Sequence, residues 1–220
     1  MRVVALDNSA RKQMIKVVTV EREYGSGGGE IAARLAGLLG WKLWDQMLTE
    51  EIARLAKCPK AIVESREEKN DPLYYRLFKS FLRGSYEGSL NAHKLDLVDS
   101  ESILKITAKV VEHAAGKGNC VIVGRGSQHF LSNRPDTLRV FLYAPRENKV
   151  RRLISRGKEE KEAEELVDTV DGERADFIQK YFHAEWPNRS LYHAMINTAA
   201  GDEAVVQAIL SFMKIVDPKP

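Results

Sequence analysis

The chain has 220 residues, 44% of them hydrophobic and 30% charged, and its 34 Lys and Arg against 31 Asp and Glu leave a formal net charge of +3. Such values fit one globular domain with its own core and exclude disordered, collagen-like and coiled-coil chains. Apolar runs last only a few residues and the Val3–Leu6 patch is too short for a secretory signal, so no membrane span and a cytoplasmic location are expected.

Residues 1–15 lack a period and read as an N-terminal extension to a single domain over 16–217. Lys16–Glu21 is β-branched and almost continuously apolar, which predicts a buried strand. It runs into Tyr24-Gly25-Ser26-Gly27-Gly28-Gly29-Glu30, after which Ile31, Leu35, Leu38 and Leu39 recur at helical spacing and Gly40 supplies a C-cap. Trp41–Trp44 predicts a second strand ending at Asp45, and residues 47–57 a helix. Between Cys58 and Ser100 the periodicity weakens around Pro59, Pro72, Gly84 and Gly88, which predicts a helical insert with a mobile polar part near 84–100.

Ile103, Ile106, Val110, Val111 and Ala114 mark the next helix. Strands follow at Cys120–Val123, ending in Gly124-Arg125-Gly126, and at Leu138–Tyr143, ending in Ala144-Pro145. A basic helix is predicted over Glu147–Arg156, a charged one over 159–182 with a break near Gly172, a last strand at Ala194–Asn197 and a closing helix over 202–215. Cys58 and Cys120 form no CxxC pair, and His93, His113, His129, His183 and His193 form no HExxH pair, so neither a disulfide nor a structural metal is expected. Trp41 and Trp44 read as packing residues, as do Phe177, Tyr181 and Phe182, and Ser127 has no nucleophile signature.

Strands alternating with helices imply a parallel α/β sheet, whose ligands bind beyond the carboxyl ends of its strands. The glycine loop, Asp45, Gly124-Arg125-Gly126 and Tyr143-Ala144-Pro145 all fall at those ends. Four glycines in five positions between a strand and a helix let backbone N–H groups converge on an anion, helped by about half a positive charge at the helix N-terminus. A dinucleotide fingerprint fits poorly, because Glu30 stands where its third glycine belongs. In a Walker A alignment Arg22 takes the first glycine position, Gly28 the lysine position, and Gly29 and Glu30 the hydroxyl positions.

Arg22-Glu23-Tyr24-Gly25-Ser26-Gly27-Gly28 and Glu30-Ile31-Ala32 resemble the cytidylate kinase-like branch of the P-loop nucleoside monophosphate kinases, and the resemblance spans roughly residues 16–215. Gly124-Arg125 is similar to the start of that branch's Gly-Arg-Asp motif, with Gly126 for the Asp. Asp45 matches the Asp of Leu-Asp-Thr-Gly, with Gln46-Met47 following instead of Thr-Gly. Asp168, Asp171 and Arg174 match Arg-Asp-x-x-Asp-x-x-Arg except that Val167 replaces its first Arg, and Ile196-Asn197-Thr198 resembles Ile-Asp-Thr.

The resemblance implies a three-layer P-loop fold: a five-stranded parallel sheet with helices on both faces, an acceptor-binding insert over 57–100 and a lid over 151–174. It implies ATP and Mg²⁺ as cofactors and γ-phosphoryl transfer to a (d)CMP-like acceptor. Tyr24, Gly25, Ser26, Gly27, Gly28, Gly29 and Glu30 would bind the nucleotide, and Asp45, Arg125, Asp171 and Arg174 the acceptor. With the Walker lysine absent, Arg22 is expected to supply its charge, Glu30 or Glu21 to help hold the metal, and Arg152 and Arg156, on one helical face, to close over the phosphates.

Plainer roles stay open: an ion pair of Arg22 with Glu21, Glu23 or Glu30, an N-cap for Asp45, a solvated helix for Arg152 and Arg156, an i,i+3 ion pair for Asp171 and Arg174. So do two other functions, a nucleotide-binding sensor without turnover and a kinase for a non-nucleotide acceptor. Nucleic acid is not an expected partner, because the arginines are interleaved with carboxylates and lack aromatic platforms. A monomer or a homodimer is expected.

Overall fold

A computed structural model describes residues 15–55 and 100–216. The extension expected over 1–15, the insert expected over 57–100 and Cys58 fall outside the described residues, apart from Ile15 and Ser100. Five strands form one parallel sheet in the order β2-β3-β1-β4-β5. They are β1 (Val17–Arg22), β2 (Lys42–Trp44), β3 (Cys120–Val123), β4 (Thr137–Tyr143) and β5 (Ala194–Asn197). The helices are α1 (Gly28–Leu39), α2 (Gln46–Leu55), α3 (Ser100–Lys117), α4 (Ser127–Phe130), α5 (Arg146–Ser155), α6 (Glu160–Phe182) and α7 (Asp202–Val216).

β1 is central because every one of its residues is buried between two neighbours. Val17–Val20 pair in register with Cys120–Val123, and Val17 to Arg22 pair with Thr137 to Leu142. Alternate residues face opposite ways, as the two-residue period of a strand requires. Val18, Val20, Val121, Val123, Leu138 and Val140 pack with Ile31 and Leu35 of α1 and Val206 and Ile209 of α7. Val17, Cys120 and Ile122 pack on the other face with Leu48, Ile52, Val111 and Phe177 of α2, α3 and α6. These are the two helical layers expected from the alternation of patterns. A third cluster, Tyr24 with Val150, Leu153, Ala163, Val167 and Val170, joins α5 and α6 to the glycine loop.

Two expectations need correction, and one element was not foreseen. β1 runs one residue further than its apolar pattern, so Arg22 is a strand residue paired with Leu142 rather than a loop residue. The helix expected to break near Gly172 is continuous over Glu160–Phe182. Gly172 has open space around it, while buried Val167, Val170, Arg174 and Phe177 hold the helix on both sides, which outweighs a propensity loss of about 1 kcal/mol. Ser127 also opens a one-turn helix that the sequence pattern did not predict. Trp44 packs in the core, and Lys42 Nζ lies 4.5 Å from its ring centroid. Among the described residues no helix is long and apolar enough to cross a membrane.

Candidate active site

The glycine loop leaves β1 at Arg22 and enters α1 at Gly28, with Gly27 as N-cap in the left-handed region. The loop is tied down from several directions. Glu23 N donates to Leu142 O at 2.9 Å, Tyr24 N to Asp171 Oδ1 at 2.8 Å, and Thr198 Oγ1 to Ser26 O at 2.7 Å. The amides of the first turn of α1 have no acceptor within the helix, and with the helix dipole they make an anion cradle. A Cβ on Gly28 would stand 2.6 Å from Cβ and 2.9 Å from Cγ of Arg22. Glycine at 28 and arginine at 22 are therefore one packing solution: the stem of Arg22 fills the space a side chain at 28 would need.

The head of Arg22 points away from the cradle, toward the end of β3. Its guanidinium lies where a Cβ on Gly124 would stand, so glycine there permits the close approach. Glu21 Oε1 accepts from Arg22 N at 3.0 Å and faces Arg22 Nη1 at 3.5 Å, while Glu21 Oε2 accepts from Gln128 Nε2 at 2.9 Å. Arg22 Nη2 is buried with no hydrogen-bond partner among the described residues. Arg174 Nη1 donates to Arg22 O at 3.0 Å and to Asp171 Oδ1 at 3.1 Å.

Arg125 is buried, and burial pushes its pKa down to about 9; the charge of Asp45 resists this, and those of Arg22 and Arg174 add to it. It sits at φ 58 between Gly124 and Gly126, at φ 62 and 64, three consecutive left-handed residues. A non-glycine residue held there carries strain of about 1 kcal/mol or more, which places Arg125 where the loop needs it rather than where its backbone prefers. Glu21, Arg22, Arg125, Gly126, Arg174, Ile178 and Trp186 together line a small, partly open cleft at the carboxyl ends of the strands. Asp45, directly before α2, is buried, and its Oδ1 has no hydrogen-bond partner among the described residues. Gly126 replaces the Asp of the resembled motif for a steric reason: a Cβ there would meet the Phe182 ring at 2.6 Å.

A second group of side chains closes on the glycine loop itself. Arg152 of α5 lies against Gly27, its guanidinium where a Cβ would stand. Arg152 Nη1 reaches Asp202 Oδ2 at 3.0 Å and Glu30 Oε2 at 3.3 Å, and Nη2 reaches Asp202 Oδ1 at 2.6 Å. Arg156 Nη2 pairs with Glu30 Oε1. Both oxygens of Glu30, the expected metal ligand, therefore face guanidinium groups. Among the described residues no group of three His, Cys, Asp or Glu stands where it could hold a metal ion.

Asp171, expected at the acceptor or in an ion pair with Arg174, makes that pair and has both oxygens engaged beside the loop, on Tyr24 N, Arg174 and Lys149. Burial raises its pKa against the opposing influence of Arg174, the Tyr24 amide and Lys149. Asp168 lies outside the cleft in an exposed pair with Arg146 at 2.8 Å.

Several residues of this region escaped the sequence reading. Lys149 is buried against Gly25, its Nζ 3.1 Å from Glu23 Oε2 and 3.5 Å from Asp171 Oδ2. Its one available signal was a lysine within a turn of buried Val150 and Leu153 on α5. Gln128 and Asp202 had none, because their partners lie 107 and 50 residues away in sequence.

Comparison with known proteins agrees with this architecture. The crystal structure of an uncharacterized protein from Eubacterium ventriosum ATCC 27560 superposes with a TM-score of 0.65 at 22% identity, covering 92% of this chain and 99% of that one. A gluconokinase from Sinorhizobium meliloti 1021 gives 0.55 at 13% identity, over 93% of this chain and 95% of that one. A shikimate kinase from Acinetobacter baumannii in complex with shikimate gives 0.52 at 16% identity, over 94% and 97%. At these identities the likeness speaks for the fold, which is that of P-loop kinases. No curated protein matches the chain. The profile of the cytidylate kinase-like family matches residues 17–200, more than half of the chain, and the protein belongs to that family.

Proposed function

We propose that this protein transfers the γ-phosphoryl group of ATP to the phosphate of a (d)CMP-like nucleoside monophosphate. The observation that carries this reading is the cleft beside the glycine loop, where the buried guanidiniums of Arg22, Arg125 and Arg174 meet with Glu21 among them. Guanidinium forks match the oxygens of a phosphate ester in geometry and charge, and three of them gathered in one cleft suit a dianionic one.

In this scheme the amides of Gly27–Glu30 hold the donor's phosphates. Arg125 and Arg174 hold the acceptor phosphate, and Arg22, between cradle and cleft, faces the charge that spreads over the transferred group. An acceptor phosphate oxygen is already anionic and attacks without a general base. One P–O bond forms to it as the bond to the ADP oxygen breaks. The described residues do not fit a magnesium site built by the protein alone, so Mg²⁺ is assigned to the nucleotide's own phosphates and no step here depends on it.

The glycine at the Walker lysine position and the gluconate and shikimate kinases among the fold's relatives supply the rival readings, a sensor and a kinase for a small hydroxylated acid. The test incubates purified protein with Mg-ATP and CMP, dCMP, UMP, AMP, GMP, shikimate or gluconate. Diphosphate formed from CMP or dCMP, lowered about 100-fold or more in kcat/KM by Arg125→Lys, supports the proposal. Transfer only to shikimate or gluconate, or ATP binding with transfer to none, replaces it with the corresponding rival.

A further inference from the structure

Arg152 and Arg156 stand over the glycine loop, yet each is already engaged by a carboxylate: Arg152 by Asp202 and Glu30, Arg156 by Glu30. We infer that Glu30 and Asp202 are specificity-determining residues, an internal pair of carboxylates that occupies the phosphate-facing arginines until a polyphosphate displaces both. The inference rests on the reading of the glycine loop as a nucleotide phosphate site.

Glu30 belongs to the first turn of α1 and Asp202 is the first residue of α7. Each carboxylate is thus stabilised by a helix N-terminus as well as by its arginine. The guanidinium of Arg152 presses on Gly27, at the mouth of the cradle, with its fork closed on Asp202 through two short bonds. An anion entering the cradle therefore meets Arg152 directly and competes with Asp202 for it.

The competition is one of charge. A single phosphate, at about −1.5 to −2, offers no more charge than the two carboxylates already in place. A triphosphate carries enough charge to take both arginines and the amides together. Asp202 and Glu30 remain 22% and 38% exposed, so the freed carboxylates can turn to water rather than being stranded. The device lowers affinity for every anion and lowers it most for those with few charges.

Isothermal titration calorimetry of the full chain with ATP, ADP and inorganic phosphate tests this, in the wild type, Glu30→Gln, Asp202→Asn, the double variant and Glu203→Gln. Glu203 is a matched control: it is adjacent in sequence, and it pairs with Arg34 at 3.6 Å on the surface. The expected result is ADP binding about tenfold tighter in Asp202→Asn and in the double variant, with a smaller gain for ATP, so that the preference for ATP narrows. The gain should vanish when Arg152→Met is added, since Arg152 is the group in dispute. Equal affinities in Asp202→Asn and Glu203→Gln, or a gain that survives Arg152→Met, overturn the latch and leave the nucleotide reading standing. No ATP binding to any form overturns both. Thermal unfolding of each variant checks the fold, and if Asp202→Asn does not fold, Glu30→Gln alone carries the comparison.

Discussion

Restoring a side chain at position 28 should damage this protein rather than improve it. A Cβ on Gly28 would lie 2.6 Å from Arg22 Cβ, whereas carbon atoms prefer about 3.5–4.0 Å, so the two are about an ångström too close. Arg22 cannot yield easily, because its Cβ hangs from a central strand paired on both sides. Overpacking of this kind costs about 1–3 kcal/mol, against about 0.4–1 kcal/mol gained from the stiffer unfolded chain when glycine becomes alanine. The net expectation for Gly28→Ala is a loss of about 1–2 kcal/mol, or about 2–8 °C in Tm for a chain of this size.

Gly37 lies in the same helix with nothing within 4 Å of its added Cβ, so Gly37→Ala should raise Tm by about 1–4 °C. Calorimetric melting of the two single variants under one buffer gives opposite signs if the packing argument holds. A rise in Tm for Gly28→Ala would refute it. Gly28→Lys should lower Tm at least as far and should not increase turnover with any acceptor, because the lysine would be built on the same obstructed Cβ.

Two further outcomes are expected. Lys149→Met leaves Glu23 and Asp171 without their shared cation in a largely buried setting and should cost about 3 kcal/mol in urea denaturation, whereas Arg146→Met, which breaks the half-exposed pairs to Asp168 and Glu164, should cost less than about 1 kcal/mol. His129 stacks on Phe182 at 4.3 Å, and burial holds its pKa below the ordinary 6.5 while Glu21 pulls the other way. The folded state thus favours the neutral ring, so its stability is fully present above 6.5 and falls as pH drops through the lowered folded value. The urea midpoint should decline between about pH 7.5 and pH 5.5, and His129→Phe should flatten part of that slope; an unchanged slope would refute the assignment.

What the sequence revealed was whatever local pattern determines. The apolar run before the glycine loop and the strand at Cys120–Val123 are where their composition put them, because parallel strands buried on both faces need continuous apolar residues. Arg22, Arg125 and Arg174 were legible as candidates because each follows a strand or matches a motif. Their meeting in one cleft was not, since it depends on β1 lying between β3 and β4. Asp171 was legible only in part for the same reason. Its spacing to Arg174 indicated the ion pair that is present, but the Tyr24 amide it also accepts from is 147 residues away in sequence. Gly172 misled because a helix glycine weighs on propensity, while the buried residues around it decide the outcome.

The position of β1 also bears on how the chain is made. Its six residues find their sheet partners in β3 and β4, so a ribosome releases Val17–Arg22 long before either partner strand exists. At about 5–20 residues per second, roughly 5–20 s separate Arg22 from Cys120. Through that interval Val17-Val18-Thr19-Val20 is an exposed, β-prone segment able to pair with another nascent chain. It is bounded by Lys16 on one side and Glu21, Arg22 and Glu23 on the other. The charges that later shape the cleft can guard the unfinished protein first, as gatekeepers against aggregation.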